Sequence, residues 1–172
     1  PTMCQPPYPL GVLDGASVRI TGETIEAVGL LEPRPGEEAL DCSGCVVLPG
    51  GVESHSHLDL EAGDLVTADD FGTGTRAALA GGTTTVVDFA TAFHGQSLAT
   101  GFDRWRAKAE GRAVTDSAFH LAMTQWRDEL ADEMAEVVSR GVTSFKLYMT
   151  YRDTMMVDDD QNLAALTTSR RL

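Results

Sequence analysis

Residues 81–90 have the sequence Gly81-Gly-Thr-Thr-Thr-Val-Val-Asp-Phe-Ala90, which gives the clearest indication of the fold class. From Thr83 onward nearly every residue is β-branched or apolar, as is typical of a strand that is buried on both faces. The two glycines in front would end a helix that we predict over residues 69–80, with its cap at Thr67 or Ala68. The segment therefore predicts a strand of a parallel sheet that directly follows a helix.

The same alternation of strand and helix continues on both sides of this segment. Strands are predicted over residues 52–60, 117–124 and 144–149, and helices over residues 97–109 and 128–140. Strands that alternate with helices of this length are typical of a parallel sheet or barrel. A complete parallel barrel has eight strands and about 250 residues, so four strand–helix units would make about half of one.

The two ends of the chain have a different character. Residues 16–20 and 23–28 are short β-branched runs joined by a turn, and residues 40–48 predict another strand. After Tyr151 the alternation fades into the acidic run Asp158-Asp159-Asp160, where no strand or helix is predicted. The first fifty residues are therefore predicted to be short β structure that precedes the α/β part.

The composition excludes several classes of function. The 172 residues include 26 acidic and 13 basic side chains, which gives a net charge of −13. This balance argues against binding to nucleic acid or to an anionic membrane surface. No apolar run is long enough to cross a bilayer, and no secretory signal opens the chain. We therefore expect a soluble, cytoplasmic protein.

Three cysteines, Cys4, Cys42 and Cys45, cannot all pair with one another. Cys42 and Cys45 have the C-x-x-C spacing of redox and zinc sites. A structural zinc would need a second pair, and a redox site would need a helix where Pro49-Gly50-Gly51 follows instead. We interpret Cys42 and Cys45 as small residues beside a turn.

The predicted strand over residues 52–60 carries a group of ionisable side chains. Because side chains alternate along a strand, Glu53, His55, His57 and Asp59 are expected to share one face. Two imidazoles two residues apart can bind one cation together. The alternative is a solvated edge strand with two surface histidines, but the preceding Pro-Gly-Gly and the following helix favour a buried strand.

Lys146 is predicted to lie in the middle of the last strand, on the face opposite its apolar neighbours. A lysine that is desolvated there would have a lowered pKa. Its neutral amine could add carbon dioxide and become a carbamate, whose two oxygens could bridge two metal ions. The alternative is a lysine that extends along the strand end into water.

Three segments together resemble the dihydropyrimidinase/hydantoinase family of the metal-dependent amidohydrolases. They are Pro49-Gly-Gly-Val-Glu-Ser-His-Ser-His-Leu-Asp59, Gly81-Gly-Thr-Thr-Thr-Val-Val-Asp-Phe89 and Ser144-Phe-Lys-Leu-Tyr-Met-Thr-Tyr151. Phe119-His-Leu-Ala-Met123 with Trp126 also resembles this family, as does Gln96-Ser-Leu98 followed by Trp105. The resemblance extends over residues 16–160.

The resemblance implies an α/β fold with about half of a (β/α)8 TIM-type barrel, preceded by part of a small β-sandwich. Residues 1–48 would be the sandwich segment, residues 49–160 the first four βα units, and residues 161–172 a divergent tail. The implied activity is hydrolytic ring opening of a small cyclic amide, a 5,6-dihydropyrimidine or a hydantoin. The family also implies a homotetramer.

The resemblance further assigns the site residues. It implies that His55 and His57 bind the more buried of two zinc ions, and that the carboxylated Lys146 bridges both. Tyr151 matches the tyrosine that stabilises the oxyanion formed on the substrate carbonyl. Two more histidines and an aspartate would come from later strands, and neither His94 nor His120 is expected to replace them. With three of six ligands, the chain is predicted to be an N-terminal fragment that is inactive alone.

Other interpretations remain open at this point. Dihydroorotases and allantoinases share the H-x-H strand and the lysine, although dihydroorotases tend to have an arginine where Leu58-Asp59-Leu60 follows here. Collapsin response mediator proteins share the fold as non-catalytic scaffolds that have lost metal ligands. The chain could also be a non-functional remnant. Metal content and ring-opening activity would separate these hypotheses.

Overall fold

The computed structural model describes residues 11–172, so Cys4 and the proline-rich opening lie outside the described residues. The chain divides into two compact units, the second of which runs from Pro49 to Leu172. In the first unit, strands β1 (Ser17–Thr21) and β2 (Thr24–Gly29) pair antiparallel. The tight turn between them includes Gly22 at φ +60°, a conformation that glycine adopts without strain.

The strand expected over residues 40–48 is not present, and this prediction was wrong. These residues form turns and irregular backbone, and Leu40, Val46 and Leu48 are exposed. A strand needs the hydrogen-bonding ladder of a partner, and the only pair within the described part of the first unit is β1 with β2. An apolar sequence run alone was therefore not sufficient to form a strand.

The second unit alternates strands and helices, as the sequence predicts. In chain order its elements are β3 (Gly51–Ser56), β4 (Glu61–Ala62), β5 (Leu65–Val66), α1 (Phe71–Ala80), β6 (Thr83–Ala92), α2 (Leu98–Ala109), β7 (Asp116–Met123), α3 (Leu130–Ser139), β8 (Phe145–Leu147) and α4 (Asp159–Ser169). Strands β3, β6, β7 and β8 form one parallel sheet in that spatial order. Within residues 11–172, no helix combines the length and apolarity that a membrane span requires.

The first helix begins later than the sequence predicts. Its cap is Asp70 and not Thr67 or Ala68, because the Asp70 carboxylate accepts a hydrogen bond from the Thr73 amide at 2.7 Å. The Thr73 hydroxyl accepts a hydrogen bond from the Asp70 amide in return, which completes a capping box. Residues 67–69 are instead part of the connection that follows the β4–β5 hairpin.

The acidic run at residues 158–160, where no element is predicted, is the start of α4. Asp158 caps this helix by accepting a hydrogen bond from the Gln161 amide at 2.8 Å. Asp159 and Asp160 lie in the first turn, where the partial positive charge of the helix N-terminus favours carboxylates. The run is therefore a helix start and not a structureless tail.

Helices α1, α2 and α3 contribute to a core on one face of the parallel sheet. The largest fully buried side chains of this core include Phe71, Trp105, Leu121, Leu130 and Met134. Helix α2 approaches β6 very closely at Gly101, where a Cβ atom would lie 2.8 Å from the backbone of Ala92. The opposite face of the sheet carries His120, Lys146 and the ring of Phe89, and the candidate site is built there.

Candidate metal centre

The ring of Phe89 is the centre of a cluster of basic side chains. The ring centroids of His55, His57 and His120 lie 4.7, 5.1 and 4.8 Å from the Phe89 centroid. The Nζ atom of Lys146 lies 4.1 Å from the same centroid. The three candidate ligands His55, His57 and Lys146 are thus brought to one aromatic ring, although β3 and β8 lie at opposite edges of the sheet.

The end of β3 places the two histidines side by side. His55 belongs to the strand, whereas His57 follows its last residue, Ser56. Their ring centroids are 5.2 Å apart, with the ring planes nearly perpendicular at 80°. The Glu53 carboxylate folds back and accepts a hydrogen bond from the His55 amide at 2.8 Å. The two imidazoles are thus side by side, as predicted, but β3 is an edge strand of the described sheet and five of its six residues are exposed, so the expected buried strand was wrong.

Asp59 does not share the face of the histidines, so this part of the prediction was wrong. The strand ends at Ser56, and Asp59 adopts φ +51° in the turn that follows. Its amide donates to the Asp69 carbonyl at 3.0 Å, and its carboxylate pairs with Arg112 at 3.3 Å. The period of two no longer holds once the backbone leaves the strand.

A buried carboxylate, Asp88, fixes the backbone around the second histidine. Its side chain is 1% exposed, and its Oδ2 atom accepts hydrogen bonds from the Ser56 hydroxyl and the Leu58 amide, both at 2.8 Å. Its Oδ1 atom accepts from the Phe89 amide at 2.7 Å and the Trp105 indole at 3.2 Å. The residues on either side of His57 are thus tied to β6 and to α2.

Sequence reasoning missed Asp88, although one signal could have found it. It is the only ionisable residue in the apolar strand over residues 83–92. A carboxylate at such a position is costly unless several donors surround it. Its presence there therefore indicates a hydrogen-bonding role that the pattern of apolar residues does not explain.

The electrostatics of the cluster favour neutral forms of two candidate ligands. Burial, followed by the nearby charge of Lys146, lowers the pKa of His57, and the Asp88 carboxylate opposes this effect only in part. Burial also lowers the pKa of Lys146. In the described part of the chain, no carboxylate lies within ion-pair distance of Lys146 Nζ. The positive charge of Lys146 is therefore uncompensated.

The donor set fits a zinc ion. The Nδ1 atom of His57 is buried and has no hydrogen-bond partner among residues 11–172. A buried nitrogen without a partner carries a free-energy cost that a bound metal would remove. Neutral imidazole is a usual zinc ligand. Within the same residues, no group of three or more His, Cys, Asp or Glu side chains is placed to hold a metal ion.

The structure does not bring Tyr151 to the ring of Phe89. Tyr151 is 61% exposed, and its ring contact is with Tyr148, at 6.0 Å between centroids. Its φ of +65° is uncommon for a residue with a side chain and holds the tyrosine in a turn after β8. Lys146 Nζ lies 4.9 Å from the Tyr148 centroid, so Tyr148 is a neighbour of both Tyr151 and Lys146.

His94 lies apart from the cluster, and the two C-x-x-C cysteines lie in the other unit. His94 borders a cleft of about 390 Å³ that is also lined by Gln125, Arg152 and Asp158. Cys42 and Cys45 are both free thiols, and a backbone hydrogen bond joins Cys45 N–H to the Cys42 carbonyl at 3.0 Å. This geometry is a tight turn.

Known proteins resemble this chain over most of its length. It is 39% identical over 158 residues to a D-hydantoinase of Geobacillus stearothermophilus, which covers 91% of the chain. It is 39% identical over 163 residues to the dihydropyrimidinase of Rattus norvegicus. A crystal structure of dihydropyrimidinase from Brevibacillus agri superposes with a TM-score of 0.88 at 40% identity, over 91% of the chain. The chain belongs to the hydantoinase/dihydropyrimidinase family.

The matched part is a limited portion of these family members. The chain spans about a third of the length of its relatives, 34% of the Geobacillus hydantoinase and 31% of the rat dihydropyrimidinase. No protein-family profile matches the chain. The mixed α/β fold with a parallel sheet agrees with the hydantoinase structures, and the predicted resemblance to this family is confirmed.

The free energy of unfolding of the metal-free chain is expected to decrease as the pH falls below the ordinary pKa of histidine, about 6.5. Because burial lowers the pKa of His57, the unfolded chain takes up a proton there at a higher pH than the folded chain. The contribution of His57 to the free energy of unfolding is therefore fully present above about pH 6.5 and is lost progressively as the pH falls below that value. Urea unfolding at a series of pH values measures this effect. His57→Gln should have the shallower pH dependence, and equal slopes would show that His57 is not responsible.

Proposed function

We propose that the protein containing this segment opens the ring of a small cyclic amide, a 5,6-dihydropyrimidine or a hydantoin, by hydrolysis at a zinc site. The observation that supports this most is the convergence of His55, His57 and Lys146 on Phe89. The names of the relatives, D-hydantoinase and dihydropyrimidinase, suggest the class of substrate. We propose that the parallel sheet is half of a (β/α)8 barrel, and that the N-terminal strands belong to a small β-sandwich.

The proposed roles follow from the surroundings of each side chain. His55 and His57 would hold one zinc ion through neutral imidazole nitrogens, and His57 Nδ1 is free to do so. Lys146 would bridge this zinc and a second one as a carbamate. When bound, zinc would polarise the substrate carbonyl and lower the pKa of a water molecule. The ring of Phe89 lies against all three of these side chains.

Formation of the carbamate needs a neutral lysine. The neutral Lys146 amine would attack the carbon of carbon dioxide, so that an N–C bond forms while one C=O π bond breaks and its electron pair moves to oxygen. The nitrogen would then release a proton to water, which leaves a singly charged carbamate. Burial lowers the pKa of Lys146, and the absence of a paired carboxylate within residues 11–172 removes what would otherwise hold the ammonium form. The product is a carbamate anion, which could bind two zinc ions at once.

Tyr151 is proposed to donate its hydroxyl proton in a hydrogen bond to the substrate carbonyl as negative charge develops there. Its exposure leaves the hydroxyl accessible to a substrate that enters beside Tyr148. The remaining ligands, two histidines and an aspartate, are proposed to come from outside these 172 residues, so the chain alone would be inactive. We also propose that the complete protein is cytoplasmic and forms a homotetramer.

The experiment that tests this function is a ring-opening assay on the protein encoded by the complete gene. After loading with Zn²⁺, it is expected to open 5,6-dihydrouracil or hydantoin, measured as loss of the ultraviolet absorbance of the ring. Lys146→Met should reduce the rate to background, whereas His94→Leu, in the separate cleft, should not. A zinc-loaded protein that leaves both rings intact would contradict hydrolysis and support a scaffold or a remnant.

A further inference from the structure

We propose that His120 is a positioning residue that fixes the separation between the strand of the histidines and the strand of the lysine. Its Nε2 atom lies 3.0 Å from the Ser54 carbonyl oxygen, and its Nδ1 atom is hydrogen-bonded to the Ser144 hydroxyl. Ser54 directly precedes His55, and Ser144 precedes β8 and lies two residues before Lys146. One imidazole thus links the strand that carries His55 to the segment that leads into Lys146. The inference rests on the proposed function.

The two hydrogen bonds assign the donors. A carbonyl oxygen can only accept, so Nε2 carries the proton and donates it to Ser54. In the neutral ring, Nδ1 then accepts the proton of the Ser144 hydroxyl. The Ser144 backbone is held as well, because its carbonyl accepts from the Leu121 amide at 3.0 Å. The ring of His120 is therefore held at both nitrogens, and it connects Ser54 of β3 to Ser144, the residue before β8.

The topology explains why such a link is useful. In the sheet order β3-β6-β7-β8, the strands of the candidate ligands are never direct neighbours. His120 lies on β7 opposite Phe89 of β6 in the register. Its side chain passes the Phe89 ring at 4.8 Å between centroids and reaches the backbone of β3. The side chain of His120 therefore crosses over β6 on the face of the sheet where the metal would bind.

The short length of β8 strengthens this argument. This strand has three residues and, among residues 11–172, pairs only with β7, through Leu121, Ala122 and Met123. The position of β8 relative to β3 consequently depends on contacts that cross the sheet. Metal sites need ligands placed within about 0.5 Å, so a small shift of either strand would weaken binding. Asp88 holds β3 from the helix-covered face, and His120 holds it from the other.

The test compares two variants of His120 for binding of Co²⁺ to the metal-free protein encoded by the complete gene. His120→Leu removes both hydrogen bonds but keeps an apolar side chain against Phe89. It is expected to weaken Co²⁺ affinity by about tenfold or more and to alter the visible ligand-field spectrum, as loss of an outer-shell support does. His120→Gln keeps one donor and one acceptor, and we expect it to restore part of the affinity and the spectrum. His94→Leu is the matched control.

The outcomes separate this inference from the proposed function. A wild-type affinity and spectrum in His120→Leu would overturn the positioning role while leaving the zinc site intact. An equal loss in His120→Leu and His120→Gln, with equally lowered melting temperatures, would reduce the residue to a structural one and also overturn the proposal. If the wild-type complete protein itself binds no Co²⁺, the proposed zinc site fails first, and the inference fails with it.

Discussion

Replacement of Asp88 by alanine is expected to destabilise the chain by about 3–5 kcal/mol and to abolish zinc binding. The buried carboxylate accepts four hydrogen bonds, from Ser56, Leu58, Phe89 and Trp105. Removing it leaves these donors without an acceptor in a site that is 1% exposed. The segment between Ser56 and Leu58 would also lose its attachment to β6, and His57 lies in that segment.

Urea unfolding of the metal-free chain measures the first part of this prediction, and zinc content after dialysis measures the second. The matched control is Asp103→Ala, because Asp103 pairs with Arg140 at the surface and its side chain is 59% exposed. Exposed ion pairs contribute about 1 kcal/mol or less, so this variant should remain close to wild type. An Asp88→Ala variant as stable as the control would show that the four hydrogen bonds are not important.

The second large effect is expected for Lys146→Met. Methionine keeps the length of the side chain against Phe89 but has no amine, so carbon dioxide cannot be captured. In wild type, ¹³C-labelled bicarbonate should give a carbamate signal in the NMR spectrum, and this signal should strengthen when Zn²⁺ is added. The variant should lack the signal and retain less zinc.

The matched control is Lys108→Met, which replaces the only other lysine of the chain. Lys108 Nζ donates to the Asp59 carbonyl and lies 3.4 Å from a Glu61 carboxylate oxygen, so two oxygen atoms already engage this amine. We expect its replacement to leave the carbamate signal unchanged. A carbamate signal that persists in Lys146→Met, or that disappears in Lys108→Met, would overturn the assignment of Lys146.

Much of the candidate site could be predicted from the sequence because its geometry follows from local rules. Alternation along the strand predicted over residues 52–60 places His55 and His57 on one face, and helices between successive strands predict a parallel sheet. The sheet then brings the end of β3 and the middle of β8 to the same face. These inferences need only the period of each element and the order of the elements.

The contacts that hold the site could not be predicted in the same way. Asp88 is hydrogen-bonded to Ser56, which is 32 residues away in the sequence, and His120 to Ser54, which is 66 residues away. No local sequence pattern contains either pair. The turn at Asp59 was missed because the strand ends earlier than its apolar and polar residues suggest. The strand expected over residues 40–48 does not form, because strand formation depends on a partner strand that the segment itself does not specify.

X-ray absorption at the zinc edge tests the central claim most directly, because it identifies the atoms bound to zinc in the zinc-loaded protein encoded by the complete gene. Binding by His55, His57 and the carbamate of Lys146 predicts only nitrogen and oxygen neighbours, at about 2.0–2.1 Å, with the multiple scattering of imidazole. Binding by Cys42 and Cys45 would instead give sulfur neighbours at about 2.3 Å. A nitrogen and oxygen shell that is lost in the double variant His55→Ala/His57→Ala would support the account. A sulfur shell, or no retained zinc, would contradict it.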